Sequence, residues 1–225
     1  MIDRARPDLA HVETWLFDLD NTLYPAETGF MKLIEVRMTD FVERRTGLPR
    51  DEALKLQKKY WTELGTTLAG LMAHHDVAPE EFLDEVHDVS LDLLEPDPRL
   101  IAALERLPGR RLIFTNGSGP HAERVLEKLG IAHLMEDVFH ISSADYLPKP
   151  ALSTFQKMTR ELRVDPHGAA FFEDSEKNLA PAAELGMTTV LVGLNAPASV
   201  APFVHHRTDD LAGFLAGARL RETAA

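Results

Sequence analysis

The stretch TWLFDLDNTLYP, Thr14 to Pro25, runs four strand-favouring residues straight into two acids separated by one leucine, then breaks at Asn21-Thr22 and again at Pro25. A short apolar run without polar alternation is the pattern of a strand covered on both faces. Carboxylates at the mouth of such a strand are costly to bury unless something binds them there. Three more runs share this character: RLIF at 111–114, AAFF at 169–172 and TTVLV at 188–192, with a weaker one, VFHI, at 138–141. Helix-period segments separate them, which predicts an α/β fold with a doubly wound, mostly parallel sheet.

The interval after the first strand is too long for a simple crossover. From Leu19 to Arg111 there is no strand pattern, yet four helical ones follow one another: GFMKLIEVRMTDFVERR at 29–45, DEALKLQKKYWTEL at 51–64, TTLAGLMAHH at 66–75 and PEEFLDEVHD at 79–88. In the first of them Phe30, Leu33, Ile34, Met38, Phe41 and Val42 recur at three- and four-residue steps, as one buried face requires. Joining two parallel strands takes a single helix, so the others form something extra. The expectation is a helical domain at 27–95 inserted into a core built from 1–26 and 96–225, with Tyr24-Pro25 and EPDPR at 95–99 as its hinges.

Charge and composition bound what the chain can serve. Its 225 residues suffice for one sizeable core, and 36 acids against 24 bases give a formal net charge of −12. The average surface therefore repels nucleic acid and anionic membrane, and an anionic ligand must be met by a local positive site. There is no cysteine, which excludes disulfides and thiolate metal sites, and MIDRARPDLAHVE at the start lacks the apolar run of a secretory signal. A cytoplasmic protein with no membrane and no nucleic-acid partner is expected; oligomeric state is left open.

In open α/β sheets, ligands bind beyond the carboxyl ends of the strands. After the first strand come Asp18, Leu19, Asp20, Asn21 and Thr22; after the second, Thr115, Asn116, Gly117 and Ser118; after the weak one, a loop ending in Lys149-Pro150; after AAFF, Glu173 and Asp174. While the chain stays extended, Asp18 and Asp20 lie on one side. Joined by Asp174 and Glu173, they need a cation, and an oxygen-only donor set suits Mg²⁺. Lys149 offsets more of the negative charge, and the glycine-bearing turn at Thr115-Asn116-Gly117 offers N–H groups to an anion where a helix begins. A cation site beside a phosphate cradle points to phosphoryl transfer. One aspartate can attack phosphorus, while a second carboxylate protonates the leaving oxygen and then activates water.

These four blocks, Asp18-Leu19-Asp20-Asn21-Thr22-Leu23, Thr115-Asn116-Gly117, Lys149-Pro150 and Glu173-Asp174-Ser175, resemble in type and order the four motifs of the haloacid dehalogenase-like hydrolase superfamily. The resemblance implies a Rossmann-like core, a helical cap and an aspartyl-phosphate route. It makes Asp18 the nucleophile, Asp20 the general acid/base, and Thr115 and Lys149 phosphate binders, with Asn116 and Gly117 completing the cradle. Mg²⁺ would be held by Asp18, the Asp20 main-chain carbonyl and Asp174, with Glu173 either a ligand or a supporting group. DLDNTLYP and GTTLAGL (65–71) look like the pyrimidine 5′-nucleotidase branch, although Leu64 stands where a tyrosine is expected. A small-molecule phosphomonoester is the implied partner, with a pyrimidine nucleoside 5′-monophosphate first and phosphoglycolate or a sugar phosphate as the alternative. Dehalogenation does not need Asp20, and a receiver-like phospho-switch gains nothing from a lid. The adjacent histidines His74-His75 and His205-His206 lack the spacing of a zinc site.

Overall fold

The computed structural model describes residues 6–221; the first residues of the N-terminal segment and the Ala-rich end of the chain lie outside them. The TWLF run forms β1 (Thr14–Phe17), buried along its whole length. β2 (Arg110–Phe114) and β4 (Ala169–Glu173) pair with it on either side, Phe17 standing level with Ile113 and with Phe172. β3 (Asp137–Phe139) lies beyond β2, while β5 (Thr188–Val192) and β6 (His206–Thr208) lie beyond β4. All five pairings are parallel and the order is β3-β2-β1-β4-β5-β6. The chain thus works outward from β1 to β3 and restarts at β4 on β1's other side. That reversal makes the carboxyl ends of β1 and β4 a topological switch point.

Strand alternation divides the core into two layers. Trp15, Phe17, Ile113, Phe172 and Val190 face one side, and Leu16, Leu112, Phe114, Phe171 and Leu191 the other, against Phe155 and Met158 of α7 (Leu152–Glu161) and Leu179 of α8 (Glu176–Glu184). Two strand expectations needed correction. VFHI pairs only over Asp137–Phe139, because the chain then turns and Ile141 N–H donates to the Gly117 carbonyl. β6, with the sequence HRT, was not foreseen: a three-residue, half-polar edge strand has no periodicity to read.

Four helices fill the interval between β1 and β2: α1 (Phe30–Thr46), α2 (Arg50–Leu64), α3 (Thr67–His75) and α4 (Pro79–His87). Their limits fall within a residue or two of those expected. Phe41 of α1 meets Phe82 of α4 edge-on at 5.1 Å, and Phe30, Ile34, Phe82 and Val86 belong to the same continuous apolar cluster as Trp15 and Phe17. The helical segment is therefore packed onto the sheet side. α5 (Pro98–Glu105) returns the chain to β2, and its start explains the EPDPR segment: the Asp97 carboxylate accepts from Arg99 N–H at 2.8 Å and Pro98 occupies the first helical turn. α6 (Gly119–Lys128) follows β2 and α9 (Leu211–Gly217) follows β6. No helix among the described residues is long and apolar enough to cross a membrane.

Between α2 and α3 the Tyr60 ring lies directly on Gly70, and a Cβ there would overlap it. Gly70→Ala should therefore destabilise by about 1–3 kcal/mol through overpacking, despite alanine's better helix propensity. Urea unfolding checks this, since propensity alone would shift the midpoint upward.

Candidate active site

Lys149 ends the loop before α7 and is completely buried. Each of its three ammonium donors is used: Nζ lies 2.7 Å from Asp18 Oδ1, from Glu173 Oε2 and from the Phe114 carbonyl. The Phe114 and Phe171 rings flank it at 5.0 and 5.3 Å. Burial works against the charge, but the Asp18 and Glu173 carboxylates outweigh it and push the ammonium up to about 12. One buried cation thus joins the carboxyl ends of β1, β2 and β4.

The acids around it are crowded. Asp18, Glu173 and Asp174 each bring a carboxylate oxygen within 4.8 Å of the others. Burial, then the Glu173 charge, push Asp18 up to about 7 despite Lys149, and the same two causes, with Asp18 added, take Asp174 to about 9. An all-oxygen cluster that holds protons this strongly has the chemistry of a site for a hard divalent cation. Both Glu173 oxygens are engaged, Oε2 by Lys149 and Oε1 by Ser175 N–H at 3.0 Å, and Asp18 Oδ2 likewise accepts from Thr22 Oγ1 at 3.3 Å.

The turn after β2 lies opposite. Thr115 Oγ1 accepts from Gly117 N–H at 2.9 Å, curling the main chain into a cup. Both ends of the Asn116 amide are engaged by the Lys149 main chain: its Oδ1 accepts from Lys149 N–H at 2.8 Å and its Nδ2 donates to the Lys149 carbonyl at 3.3 Å. It ties the Thr115 turn to the Lys149 loop. From the helical segment, Gly65 at φ +89° presses on the same loop; a Cβ there would stand 3.0 Å from Pro148 Cγ and 3.2 Å from the Lys149 carbonyl oxygen.

Asp20 sits in a different environment from Asp18. After Asn21, whose φ of 62° turns the chain sharply, Tyr24 comes back to donate to Asp20 Oδ1 at 2.7 Å. His121 Nε2 reaches the same oxygen at 2.9 Å. Burial opposes ionisation of Asp20, but the His121 ring, through charge and hydrogen bond, and the Tyr24 hydroxyl outweigh it and hold the carboxyl down at about 2. His121 in turn stacks on His87 of α4 at 4.2 Å, and His87 Nδ1 lies 3.0 Å from Ser118 Oγ. Burial, then His121, bring His87 down to about 3. Neither histidine was singled out from the sequence. The adjacent pairs that drew attention are locally engaged instead, His75 with Tyr60 and His205 with Thr189, both at 2.8 Å. A readable signal for His121 was its place in the first turn of the helix that follows the Thr115 turn.

Asp18, Asp20, His87, Thr115, Lys149 and Asp174 line a cavity of about 470 Å³ between the strand ends and the helical segment. Its far wall includes Met31, Met38, Gln57 and Trp61, and at its rim Lys177 Nζ of α8 lies 4.0 Å from the centre of the Trp61 ring. A larger groove of about 910 Å³ runs along Tyr24-Pro25 and the 95–99 segment; it includes Asp174 but neither Asp18 nor Lys149.

Fold and site together define a hydrolase class, and the chain belongs to the haloacid dehalogenase-like hydrolase family, whose sequence pattern matches residues 12–186. It is similar to Phosphate metabolism protein 8 of Saccharomyces cerevisiae, 28% identical over 201 residues that cover 82% of this chain and 62% of that protein. It also resembles Fructose-1-phosphate phosphatase YqaB of Escherichia coli, 32% identical over 124 residues covering 53% of this chain and 63% of the relative. The chain thus spans less than two thirds of the length of either relative. Among solved structures, CbbY from Rhodobacter sphaeroides in complex with phosphate shares the fold at a TM-score of 0.63 and 20% identity, over 92% of this chain and 98% of that one.

The raised carboxyls make stability fall with pH. Asp18 and Asp174 start from 3.8 and reach about 7 and about 9 in the fold, so between those limits the folded state binds more protons than the unfolded one. Their contribution is fully present below the unfolded value and is lost as pH rises through the folded ones. His87, held down at about 3, runs the other way up to its ordinary 6.5, so in metal-free buffer the melting temperature should decline from about pH 7 to pH 9, and Asp174→Asn should flatten that decline. An unchanged slope in the variant would sink the assignment.

Proposed function

We propose that the protein is a Mg²⁺-dependent phosphomonoesterase that works through an aspartyl-phosphate, with pyrimidine nucleoside 5′-monophosphates as preferred substrates. The observation that carries this is the placing of two aspartates about one cup: Asp18 beside Lys149 and the acidic cluster, and Asp20 with one oxygen facing the Thr115–Gly117 turn. In this reading residues 1–26 and 96–225 form the catalytic core and 27–95 the cap that covers it.

Asp18, as the carboxylate, attacks phosphorus as the ester P–O bond breaks, and Asp20, protonated once the anionic ester lies beside it, delivers that proton to the departing oxygen. Asp20, now a base, takes a proton from water, which attacks the acyl-phosphate, frees phosphate and restores Asp18. Lys149 and the Thr115 turn hold the phosphoryl oxygens as charge redistributes. Asp18, the Asp20 main-chain carbonyl and Asp174 would hold Mg²⁺, which when bound neutralises the crowded carboxylates and draws charge from the phosphoryl group. Glu173 supports Lys149, whose ammonium donates to its Oε2 at 2.7 Å.

The leaving group is met by the far wall of the cavity. Trp61 offers a ring face, Met31 and Met38 offer adaptable apolar contact, and the buried Gln57 amide has one end on Thr39 at 2.5 Å and the other beside only the Met38 sulfur at 3.8 Å. A flat base with polar edges fits this set. The name of the Escherichia coli relative favours a sugar phosphate as the second reading.

Phosphate release with Mg²⁺ from UMP, CMP, AMP, phosphoglycolate and fructose 1-phosphate should be highest for the pyrimidine nucleotides. Asp18→Asn should reduce it to on the order of a thousandth or less. Preference for another ester discards the nucleotide assignment alone; no release from any of them by folded, Mg²⁺-supplemented protein discards the phosphatase.

A further inference from the structure

The two hydrogen bonds to Asp20 fall on the same oxygen. Tyr24 Oη and His121 Nε2 both bond to Oδ1, at 2.7 and 2.9 Å, while Oδ2 takes no hydrogen bond among the described residues. Oδ2 faces the Thr115–Gly117 turn, standing 3.6 Å from where a Cβ on Gly117 would be. The carboxylate is thus fixed at one end and open at the other. Both groups holding Oδ1 are themselves braced by the helical segment. Phe30, the first residue of α1, stacks on His121 at 6.1 Å with the planes 2° apart and meets Tyr24 edge-on at 5.5 Å. His87 of α4 stacks on His121 at 4.2 Å. His121 is 1% exposed and Phe30 fully buried, so neither ring has room to swing.

We propose that His121 and Tyr24 are positioning residues for Asp20, holding Oδ1 so that Oδ2 alone meets the ester oxygen, and that Phe30 and His87 make this arrangement depend on the seating of the helical segment. The inference rests on the phosphatase reading and adds to it the means by which the acid is aimed. With the anionic ester bound beside it Asp20 carries a proton on Oδ2, and in the first step that proton leaves for the ester oxygen as the P–O bond breaks, the bonding pair staying with that oxygen. The carboxylate left behind keeps its two donors on Oδ1, so it need not rotate before it accepts a proton from water. The helical segment thereby does more than cover the cavity, since its seating sets the angle of the group that serves both half-reactions.

A leaving group that needs no proton separates this role from a structural one. kcat/KM reports the steps through ester cleavage, so it is measured on UMP, or on whichever alkyl phosphate the wild type hydrolyses fastest, and on p-nitrophenyl phosphate, with melting temperatures recorded alongside. His121→Ala should lose about 100-fold on the alkyl ester and about threefold or less on the aryl ester, while His121→Gln, which keeps a donor, regains about tenfold. Tyr24→Phe, which keeps the ring and its packing, should lose about tenfold on the alkyl ester alone, and Phe30→Leu should show the same asymmetry to a lesser degree. If His121→Ala does not fold, Tyr24→Phe and His121→Gln decide the matter. Equal losses on both esters in folded variants, or no loss in Tyr24→Phe, overturn the positioning role and leave the phosphatase standing. A wild type that hydrolyses neither ester overturns both.

Discussion

A single buried ammonium organises this molecule. Lys149 Nζ takes one oxygen from the end of β1, one from the end of β2 and one from the end of β4, each at 2.7 Å. Removing such a partner leaves uncompensated carboxylates in a medium that solvates them poorly, and broken buried pairs cost about 3–5 kcal/mol. The rest of the site is arranged around that constraint. Asn116 clasps the Lys149 main chain, Gly65 lets the α2–α3 turn approach it, and the Phe114 and Phe171 rings keep water from the cation.

Two aspartates only two residues apart are driven in opposite directions. Asp18, sunk among Glu173 and Asp174, goes up to about 7; Asp20, facing His121 and Tyr24, goes down to about 2. The difference comes wholly from the neighbours, since the residue type and the strand end are shared. The two environments differ in kind: one crowds anions together, the other brings donors to a single carboxylate. The helical segment helps to build both, through Gly65 on the Lys149 side and through Phe30 and His87 on the Asp20 side.

Much of this was legible in the chain. Four strands and the four helices of the insertion could be placed to within a residue or two, because fully apolar runs and three-four periodicity are local consequences of burial. The residues after each strand were legible for the same reason, as a parallel sheet must present its carboxyl ends together. The short edge strand at His206–Thr208 carried no period, and VFHI lost its second half to a turn made with Gly117. The turn at Asn116 was read as offering main-chain N–H groups to an anion; that its side-chain amide is bound to Lys149, a contact spanning 33 positions, is something no local pattern encodes.

The sequence by itself determined the order of the elements, the presence of a helical insertion after β1, and which residue types stand at the mouth of the sheet, since each follows from the steric and burial preferences of a few neighbouring residues. Only the tertiary structure decided which oxygen meets which donor. Asp20 and His121 are 101 positions apart, and His87 and Ser118 are separated by 31. The first pair forms because α6 starts beside the end of β1 and the second because the end of α4 meets the start of α6, and a hydrogen bond gains its strength only within a few tenths of an ångström and a narrow range of angles. Such distances are set by the packing of the whole core, which the local pattern specifies in kind but not in position.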